Sequence, residues 1–296
     1  MKIMILGAGA IGSLYGAKLS KLNDVTLVGR ESHANQINKN GLKVSGIEKK
    51  TYRVNAVTKI SYVDKNTLIL LTTKVHDSEN AIRSIKNLVR KDTIILCLQN
   101  GLYSENAVKR IIGNKCLVLR AITNFGAIFL KPGHINYTSF SRTSIEQSPN
   151  SGEIAENFAK CGLNGYVSGN IKSDMWKKLI FNSVLNPLTA ILRIKNNEIT
   201  DDKLNPLKKL IVGECLKVAQ ADEIKFDMDF VSTINKEFAK SHNISSMQQD
   251  LLKCKNTEID YLNGAVVELG KKYGIKCPVN ESLMMIIKHL EKVSKI

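Results

Sequence analysis

The sequence predicts an α/β protein in which a domain with a mostly parallel β-sheet is followed by an all-helical domain. Short β-branched runs alternate with helical segments up to about residue 168, and a glycine-rich turn follows the first of these runs. Long helical patterns with few strand signals continue from about residue 171. A chain of 296 residues is also longer than a single hydrophobic core usually accommodates. We therefore predict two domains, at residues 1–169 and 170–296.

In the first domain, five apolar runs predict the main strands, at residues 2–6, 25–28, 67–72, 93–98 and 116–122. Two hairpins are expected in addition, with runs 42–45 and 51–57 in one and runs 125–129 and 134–140 in the other. A polar stretch at 147–152, one helix and a short strand at 166–168 complete this domain.

The second domain contains periodic patterns that predict five helices, at residues 171–193, 204–221, 229–240, 257–273 and 280–293. Two domains of different build commonly leave a cleft between them, and clefts of this kind hold ligands. We therefore expect the functional site to lie between the two domains.

The formal net charge of +16 would attract anionic ligands, but a lysine-rich, solvated surface is the simpler explanation of it. The lysines are spread in pairs, such as Lys49-Lys50 and Lys208-Lys209, and do not form one run interleaved with aromatic residues. No stretch approaches the roughly 20 apolar residues of a membrane span, and the chain opens directly into a strand-like run without a basic and apolar leader. We predict a cytoplasmic protein with neither nucleic acid nor membrane as a partner.

Cysteine and histidine spacing gives no sign of a metal site. The six cysteines lie far apart without a C-x-x-C pair, and the five histidines are scattered without ligand spacing. We predict no bound metal.

The first predicted strand runs directly into Gly7-Ala8-Gly9-Ala10-Ile11-Gly12, and a helical pattern follows at 13–22. This is G-x-G-x-x-G in its strand–turn–helix context. One glycine makes the turn, one lets the backbone approach a pyrophosphate, and one allows helix and strand to pack closely. The N–H groups at the start of the helix then bind the anion. The sequence therefore predicts a Rossmann-type dinucleotide-binding domain.

The second predicted strand ends at Val28-Gly29-Arg30, where an NAD-binding unit usually carries an acidic residue for the ribose hydroxyls. The guanidinium of Arg30 suits a 2′-phosphate instead, so NADP (NADPH) is the favoured cofactor. If Arg30 stacks on adenine or faces solvent, NADH is also possible.

The helix predicted from residue 171 carries a polar stripe. Lys178, Asn182 and Asn186 are spaced i, i+4 and i+8, which confines them to about 80° of an otherwise apolar helix. Polar groups buried without partners cost roughly 1–3 kcal/mol each, so these residues meet partners or face a polar cleft. Spacing alone leaves a solvated helix face as an equal alternative.

Along nearly its whole length the sequence resembles the ketopantoate reductase family. The resemblance rests on ordered motifs besides the glycine loop, namely Thr73-Lys74, Gln99-Asn100-Gly101, the stretch 176–190 with its Asn-Pro-Leu-Thr-Ala ending, Asn243-Ile244-Ser245-Ser246-Met247, and Thr257-Glu258-Ile259-Asp260-Tyr261-Leu262-Asn263-Gly264. The family reduces 2-dehydropantoate (ketopantoate) to pantoate with NADPH in pantothenate and coenzyme A biosynthesis.

The resemblance implies a role for each matching residue. Lys178 matches the catalytic general acid, and Glu258 matches the acidic residue that binds the substrate hydroxyl and shapes the site. The implied substrate-binding residues are Asn100, Asn182, Asn186, Asn196 and Ser246. The implied cofactor-binding residues are Gly7, Ala8, Gly9, Ala10, Ile11, Gly12, Arg30, Lys74, Asn100, Gly126 and Glu258. Asn197 stands where glycine is expected, and we expect it to adopt the left-handed turn that asparagine tolerates.

These roles agree with the chemistry of ketone reduction, in which negative charge develops on oxygen and an ammonium supplies both charge and a proton. Glu258 near Lys178 would keep that lysine charged against desolvation. Two alternatives stay open: a reductase of another branched 2-keto acid, and a non-catalytic dinucleotide-sensing protein. The expected partner is a small-molecule keto acid, and the protein is a monomer or a homodimer.

Overall fold

The computed structural model describes residues 1–294, which fall into two units. The sheet unit contains Met1–Gln99 and Tyr103–Ile171, and the helical unit contains Asn100–Leu102 and the chain from Lys172 onward. This division lies two residues beyond the boundary expected from the sequence. No pattern in the sequence predicts that Asn100–Leu102 belongs to the helical unit.

Twelve strands are formed within the described residues of the sheet unit. They are β1 Lys2–Leu6, β2 Asp24–Val28, β3 Leu42–Gly46, β4 Lys50–Tyr52, β5 Asn55–Val57, β6 Thr67–Leu71, β7 Ile94–Cys97, β8 Leu117–Thr123, β9 Gly126–Lys131, β10 His134–Ser139, β11 Thr143–Ile145 and β12 Gly165–Val167. The helices of this unit are α1 Ala10–Leu19, α2 Glu31–Asn40, α3 Ser78–Ile85, α4 Ser104–Ile112 and α5 Ser151–Lys160, with a 3₁₀ turn at Val75–Asp77.

The main sheet has the strand order β12-β11-β8-β7-β6-β1-β2-β5. Its strands from β8 to β5 are parallel, while β11 runs antiparallel to β8. The chain leaves β1 toward β2 on one side and later returns to β6 on the other side. Ligands bind beyond the carboxyl ends of the strands at such a switch point, which here is the end of β1.

Strand β6 shows why the sequence pattern of this sheet is so apolar. All five residues of its TLILL run are buried. Leu68 and Leu70 belong to one hydrophobic cluster, while Ile69 and Leu71 belong to another on the opposite face. Because helices cover both faces of a parallel sheet, its central strands are apolar throughout rather than alternating.

A second sheet has the order β4-β3-β10-β9. The hairpin expected at 125–140 is present as β9 and β10, which pair antiparallel. The hairpin expected at 42–57 is only partly correct, because β4 pairs with β3 whereas β5 joins the main sheet beside β2. Strand β11 was not predicted, since its three residues are too short to show a pattern.

The helical unit contains α6 Ile171–Leu192, α7 Asn205–Ala221, α8 Phe230–Phe238, α9 Ser246–Leu252, α10 Asn263–Lys272 and α11 Pro278–Val293. Its 3₁₀ turns lie at Asn196–Thr200, Asp202–Leu204 and Ile259–Tyr261. The prediction of one helix over 257–273 was wrong for its first turns. The 3₁₀ turn there ends at Tyr261, the backbone leaves helical geometry at Leu262, and α10 begins only at Asn263. Helix α9 was not predicted.

One apolar cluster, with Trp176, Ile180 and Val184 of α6 at its centre, forms the core of the helical unit. The indole N–H of Trp176 donates to Asp222 Oδ2 at 2.8 Å, and the Tyr273 hydroxyl donates to Asp222 Oδ1 at 2.8 Å. Asp222 is only 6% exposed, so this buried carboxylate ties the start of α6 to the ends of α7 and α10. Within residues 1–294, no helix is both long and apolar enough to cross a membrane.

Candidate active site

The glycine loop follows β1 at the switch point of the main sheet. Gly7 has φ +112°, and a Cβ on it would lie 2.6 Å from the Thr73 backbone nitrogen. A Cβ on Gly12 would lie 2.3 Å from the Gly7 carbonyl oxygen. By contrast, a Cβ on Gly9 would meet no atom within 4 Å. The first and third glycines are therefore required by the fold, whereas the second faces open space.

Backbone hydrogen bonds fix this loop against the neighbouring strands. The N–H groups of Gly7 and Ala8 both donate to the Val28 carbonyl, at 3.1 and 2.8 Å, and the Thr72 hydroxyl donates to the Gly7 carbonyl at 2.8 Å. Helix α1 then begins at Ala10 with Gly9 as its N-cap. The first turn of a helix presents N–H groups without intrahelical acceptors, so this loop fits a pyrophosphate next to Gly9.

Arg30 immediately precedes α2 and lies two residues beyond the carboxyl end of β2. Its side chain is exposed, and no carboxylate among residues 1–294 forms an ion pair with it. No acidic residue stands between Val28 and Arg30. The loop after β2 therefore presents an exposed cation, which Glu31 follows in the first turn of α2.

Lys74 and Gly126 occupy two further loops of the sheet unit. Lys74 is half-buried and directly precedes the 3₁₀ turn after β6. A Cβ on Gly126 would lie 2.7 Å from the Thr138 hydroxyl oxygen and 2.9 Å from Ser139 Cβ. Close pairing of β9 with β10 is thus sufficient to explain glycine at position 126.

Helix α6 carries the polar stripe that the spacing predicts. Lys178 and Asn182 are half-buried, while Asn186 is 4% exposed. Their neighbours Leu179, Ile180 and Val184 lie in the core of the helical unit. The helix is therefore not a solvated surface helix, and the stripe is held on a rigid element.

Pro187 lies inside α6 and has no N–H to donate to the Ser183 carbonyl. That carbonyl accepts instead from Asn263 Nδ2, at 3.0 Å. Asn263 is fully buried, and its Nδ2 also donates to Asn280 Oδ1 at 2.9 Å. The asparagine of the 257–264 motif thus satisfies the acceptor that Pro187 leaves open, one turn from Asn186.

Asn196 begins the 3₁₀ turn after α6 and is 8% exposed. Its backbone N–H donates to the Asn243 carbonyl at 2.9 Å, and its Nδ2 donates to Ser241 Oγ at 3.3 Å. Its Oδ1 is buried and has no hydrogen-bond partner within residues 1–294. The prediction of a left-handed backbone at Asn197 was wrong. The positive φ in this connection, +56°, belongs to Arg193 instead.

Ser246 is the exposed first residue of α9. The preceding Ser245 is buried; its oxygen caps the helix by accepting from the Gln248 N–H at 3.2 Å, and the Thr189 hydroxyl donates to it at 2.8 Å. The start of α9 is thereby attached to α6 one turn beyond Asn186. The spacing of Ser245 and Gln248 is the N-cap signal that could have predicted this helix.

Glu258 and Asn100 are brought together although they are 158 residues apart. Asn100 Nδ2 donates to Glu258 Oε2 at 2.8 Å, and Glu258 is 5% exposed. Glu291 Oε1 accepts from the backbone N–H and the hydroxyl of Thr257, at 2.7 and 2.6 Å, which fixes the loop before Glu258. Gly101 packs so closely that a Cβ on it would lie 2.7 Å from the Tyr261 carbonyl oxygen.

These observations define a Rossmann-type dinucleotide-binding unit joined to a helical unit that carries a lysine, amides and a buried carboxylate. Within residues 1–294, no group of three or more His, Cys, Asp or Glu residues could hold a metal ion. The arrangement is that of a nicotinamide-dependent oxidoreductase.

Comparison with known proteins gives the family. The family described as "Ketopantoate reductase PanE/ApbA" matches residues 3–150, and "Ketopantoate reductase PanE/ApbA C terminal" matches residues 170–291. The chain is 37% identical over 301 residues to a 2-dehydropantoate 2-reductase of Pyrococcus horikoshii, covering 99% of this chain and 98% of the relative. It is 31% identical to the Archaeoglobus fulgidus protein of the same name, covering 98% of both chains.

Two solved structures match over the full length of both chains. A PanE/ApbA family ketopantoate reductase from Ralstonia eutropha has a TM-score of 0.92 at 27% identity. The ternary structure of D-mandelate dehydrogenase with NADH and anilino(oxo)acetate has a TM-score of 0.90 at 30% identity. The chain belongs to the ketopantoate reductase family, a family of NAD(P)-dependent oxidoreductases.

Proposed function

We propose that this chain reduces 2-dehydropantoate to pantoate with NADPH, in the cytoplasm and as a step of pantothenate and coenzyme A biosynthesis. The observation that carries the proposal is the stripe of Lys178, Asn182 and Asn186 on the largely buried helix α6. Relatives named 2-dehydropantoate 2-reductase align with this chain along nearly its whole length. The stripe suits the reduction of a ketone, because it combines a lysine that can donate a proton with amides that can bind the substrate.

The glycine loop would hold the pyrophosphate of the cofactor. Gly9 leaves room for the phosphates, and the N–H groups of Ala10, Ile11 and Gly12 lie in the first turn of α1. The family resemblance further assigns cofactor contacts to Lys74, Asn100 and Gly126. When bound, the nicotinamide supplies a hydride to the keto carbon of the substrate.

Lys178 would donate the proton that this reduction requires at the keto oxygen. Negative charge develops on that oxygen as the carbon is reduced, and a nearby ammonium stabilises the charge before the proton moves. The substrate thus gains one hydride at carbon and one proton at oxygen, and Lys178 takes up a replacement proton from solvent.

Glu258 would accept a hydrogen bond from the substrate hydroxyl while Asn100 holds one of its two carboxylate oxygens. The bond from Asn100 Nδ2 to Glu258 Oε2 helps to orient this carboxylate. Neutral amide and hydroxyl groups would bind the substrate carboxylate and hydroxyl. Because these groups are not bases, they would not compete with Lys178 for its proton. The residues are Asn182, Asn186, Asn196 and Ser246.

Arg30 supports NADPH over NADH as the cofactor. An exposed guanidinium just beyond β2 can donate two hydrogen bonds to a 2′-phosphate, although Glu31 follows it in the first turn of α2. The family is NAD(P)-dependent, so the preference for NADPH rests on this residue.

A second candidate is reduction of another 2-keto acid, and the similarity to D-mandelate dehydrogenase with NADH favours testing it. Its substrate would keep the keto acid but lack the 4-hydroxyl of ketopantoate. Glu258 would then have no hydroxyl to bind, which leaves a buried carboxylate without a role in recognition. A dinucleotide sensor without turnover is a weaker alternative, because it would not use Lys178.

Steady-state assays with three 2-keto acids and two cofactors test these candidates. We expect the highest kcat/KM with ketopantoate and NADPH, compared with 2-ketoisovalerate, benzoylformate and NADH. A higher kcat/KM with benzoylformate and NADH would support the second candidate. Tight NADPH binding without turnover of any of the three acids would support the sensor.

A further inference from the structure

Arg120 is a buried cation that the proposed chemistry does not use. It lies in the middle of β8 at 2% exposure, in a run of otherwise apolar and hydroxyl side chains, LVLRAIT. A buried charge costs free energy unless it is paired and hydrogen-bonded. The contacts of Arg120 therefore indicate what it holds in place.

The guanidinium of Arg120 bonds to both ends of one loop. Its Nη2 donates to the Gln99 carbonyl at 2.5 Å, and its Nη1 donates to the Ser104 hydroxyl. Glu105 Oε2 lies 3.6 Å from Nη1 and supplies the opposite charge, while burial lowers the pKa of Arg120. The two hydrogen-bonded residues, Gln99 and Ser104, flank the segment Asn100–Leu102.

Gln99 extends this network to the loop after β6. Its Nε2 lies 3.3 Å from both the carbonyl oxygen and the hydroxyl oxygen of Thr73, and it also donates to Ser78 Oγ. Thr73 directly precedes Lys74 and contacts the position where a Cβ on Gly7 would lie. The guanidinium thus anchors the carboxyl ends of β6 and β7 in the sheet unit.

The flanked segment includes Asn100, whose side chain bonds to Glu258. Gly101 has φ +82° and no room for a side chain against Tyr261, so the segment has little freedom to adjust locally. We therefore expect a small shift of Gln99 to move Asn100, its neighbour in the chain. Lysine cannot replace arginine here, because an ammonium is a single point charge and cannot span two acceptors in a fixed fork.

We propose that Arg120 is a positioning residue that sets the orientation of Asn100 and, through it, of the Glu258 carboxylate. This inference rests on the proposed function for its kinetic consequence, but its structural consequence does not depend on the substrate. Arg120 is not among the residues proposed to bind substrate or cofactor. Of the two routes that lead from Gln99, one to Asn100 and one to Thr73 beside Lys74, we expect the first to carry the effect of Arg120 on catalysis.

A double-mutant cycle tests that coupling. We expect Arg120→Lys to lower kcat/KM for ketopantoate by about 10- to 100-fold, the scale of a misplaced binding group, and to leave the Kd for NADPH within about threefold. In an Asn100→Ala background the same change should lower kcat/KM less than about threefold, because coupled residues are not additive. Equal losses in both backgrounds would overturn the inference.

Hydrogen exchange provides a test that does not require turnover. In Arg120→Lys, and in Arg120→Met as a second variant, amide exchange should rise at least about tenfold in peptides covering residues 99–105 and stay unchanged in β1 and β2. Faster exchange throughout the sheet unit would mean that Arg120 only stabilises the fold, and it would overturn the inference.

Lys18→Met is the matched control, because Lys18 is another buried cation of the sheet unit, 7% exposed and paired with Glu48. It should lower stability without changing exchange at 99–105. If the wild-type chain reduces no 2-keto acid, the proposed function fails and the exchange experiment alone decides the role of Arg120.

Discussion

The glycine loop of the sheet unit and the substrate residues proposed in the helical unit are specified in different ways. The loop spans six consecutive residues, and its geometry is set by backbone conformation and by the absence of Cβ atoms. The proposed substrate residues extend from Asn100 to Glu258, and a side-chain hydrogen bond joins these two, which are the farthest apart in the chain. A local motif can therefore be recognised from sequence, whereas a dispersed site depends on contacts that only the fold creates.

The largest effect should come from Gly9→Asp, which separates the functional glycine from the structural ones. The position has room for a side chain, so the variant should fold, yet a carboxylate there would occupy and repel the pyrophosphate site. We expect no measurable NADPH binding by fluorescence titration, with circular dichroism unchanged.

Gly12→Ala serves as the opposite control within the same loop. A Cβ there would lie 2.3 Å from the Gly7 carbonyl oxygen, so this variant should lose stability in thermal unfolding. If Gly9→Asp bound NADPH normally, the loop would not be the phosphate site.

Lys178→Ala should lower kcat by at least about 100-fold, because removing a positioned general acid typically costs that much. NADPH binding should persist, since the anchoring phosphates would lie on the sheet unit. Rapid-mixing and steady-state assays with ketopantoate measure the loss. Lys177→Ala is the neighbouring control and should remain within a few-fold of wild type; a Lys178→Ala enzyme that did the same would remove the general-acid role.

Arg30→Ala should weaken NADPH binding by about 10- to 150-fold, which corresponds to on the order of 1.5–3 kcal/mol for a hydrogen bond to a charged group. The Kd for NADH should change little. Parallel titrations with the two cofactors make this comparison. Equal losses for NADPH and NADH would indicate that Arg30 stacks on adenine and does not bind a phosphate.

Asn263→Leu should have a smaller effect, on stability. It removes the donor that satisfies the Ser183 carbonyl beside Pro187, and an unsatisfied buried polar group costs about 1–3 kcal/mol. Urea unfolding measures the change in the free energy of unfolding. Adding Pro187→Ala restores the N–H that the helix lacks, so the double variant should recover part of that loss; no recovery would show that the bond does not compensate for the proline.

Much of the sheet unit could be predicted from sequence because its signals are local. Strand β1 was located to the residue, and the glycine loop was read in its correct context. The errors occurred where the sequence pattern does not reveal how strands pair. Residues 51–57 look like one strand, but they form β4 and β5, which belong to different sheets. Hydrophobic alternation identifies a strand but does not say which neighbour it joins.

In the helical unit, the sequence by itself determined four helices, α6, α7, α8 and α11, and most of α10, but not α9. It also determined the stripe on α6 and, through family resemblance, the residues proposed for the site. The tertiary structure decided which of these residues meet. It joined Asn100 to Glu258 and supplied Asn263 to the carbonyl left by Pro187, and in the sheet unit it joined Arg120 to the Gln99 carbonyl. These contacts link residues 21 to 158 positions apart, and no local pattern encodes them, because a buried hydrogen bond constrains two distant residues jointly and leaves no periodicity in either neighbourhood.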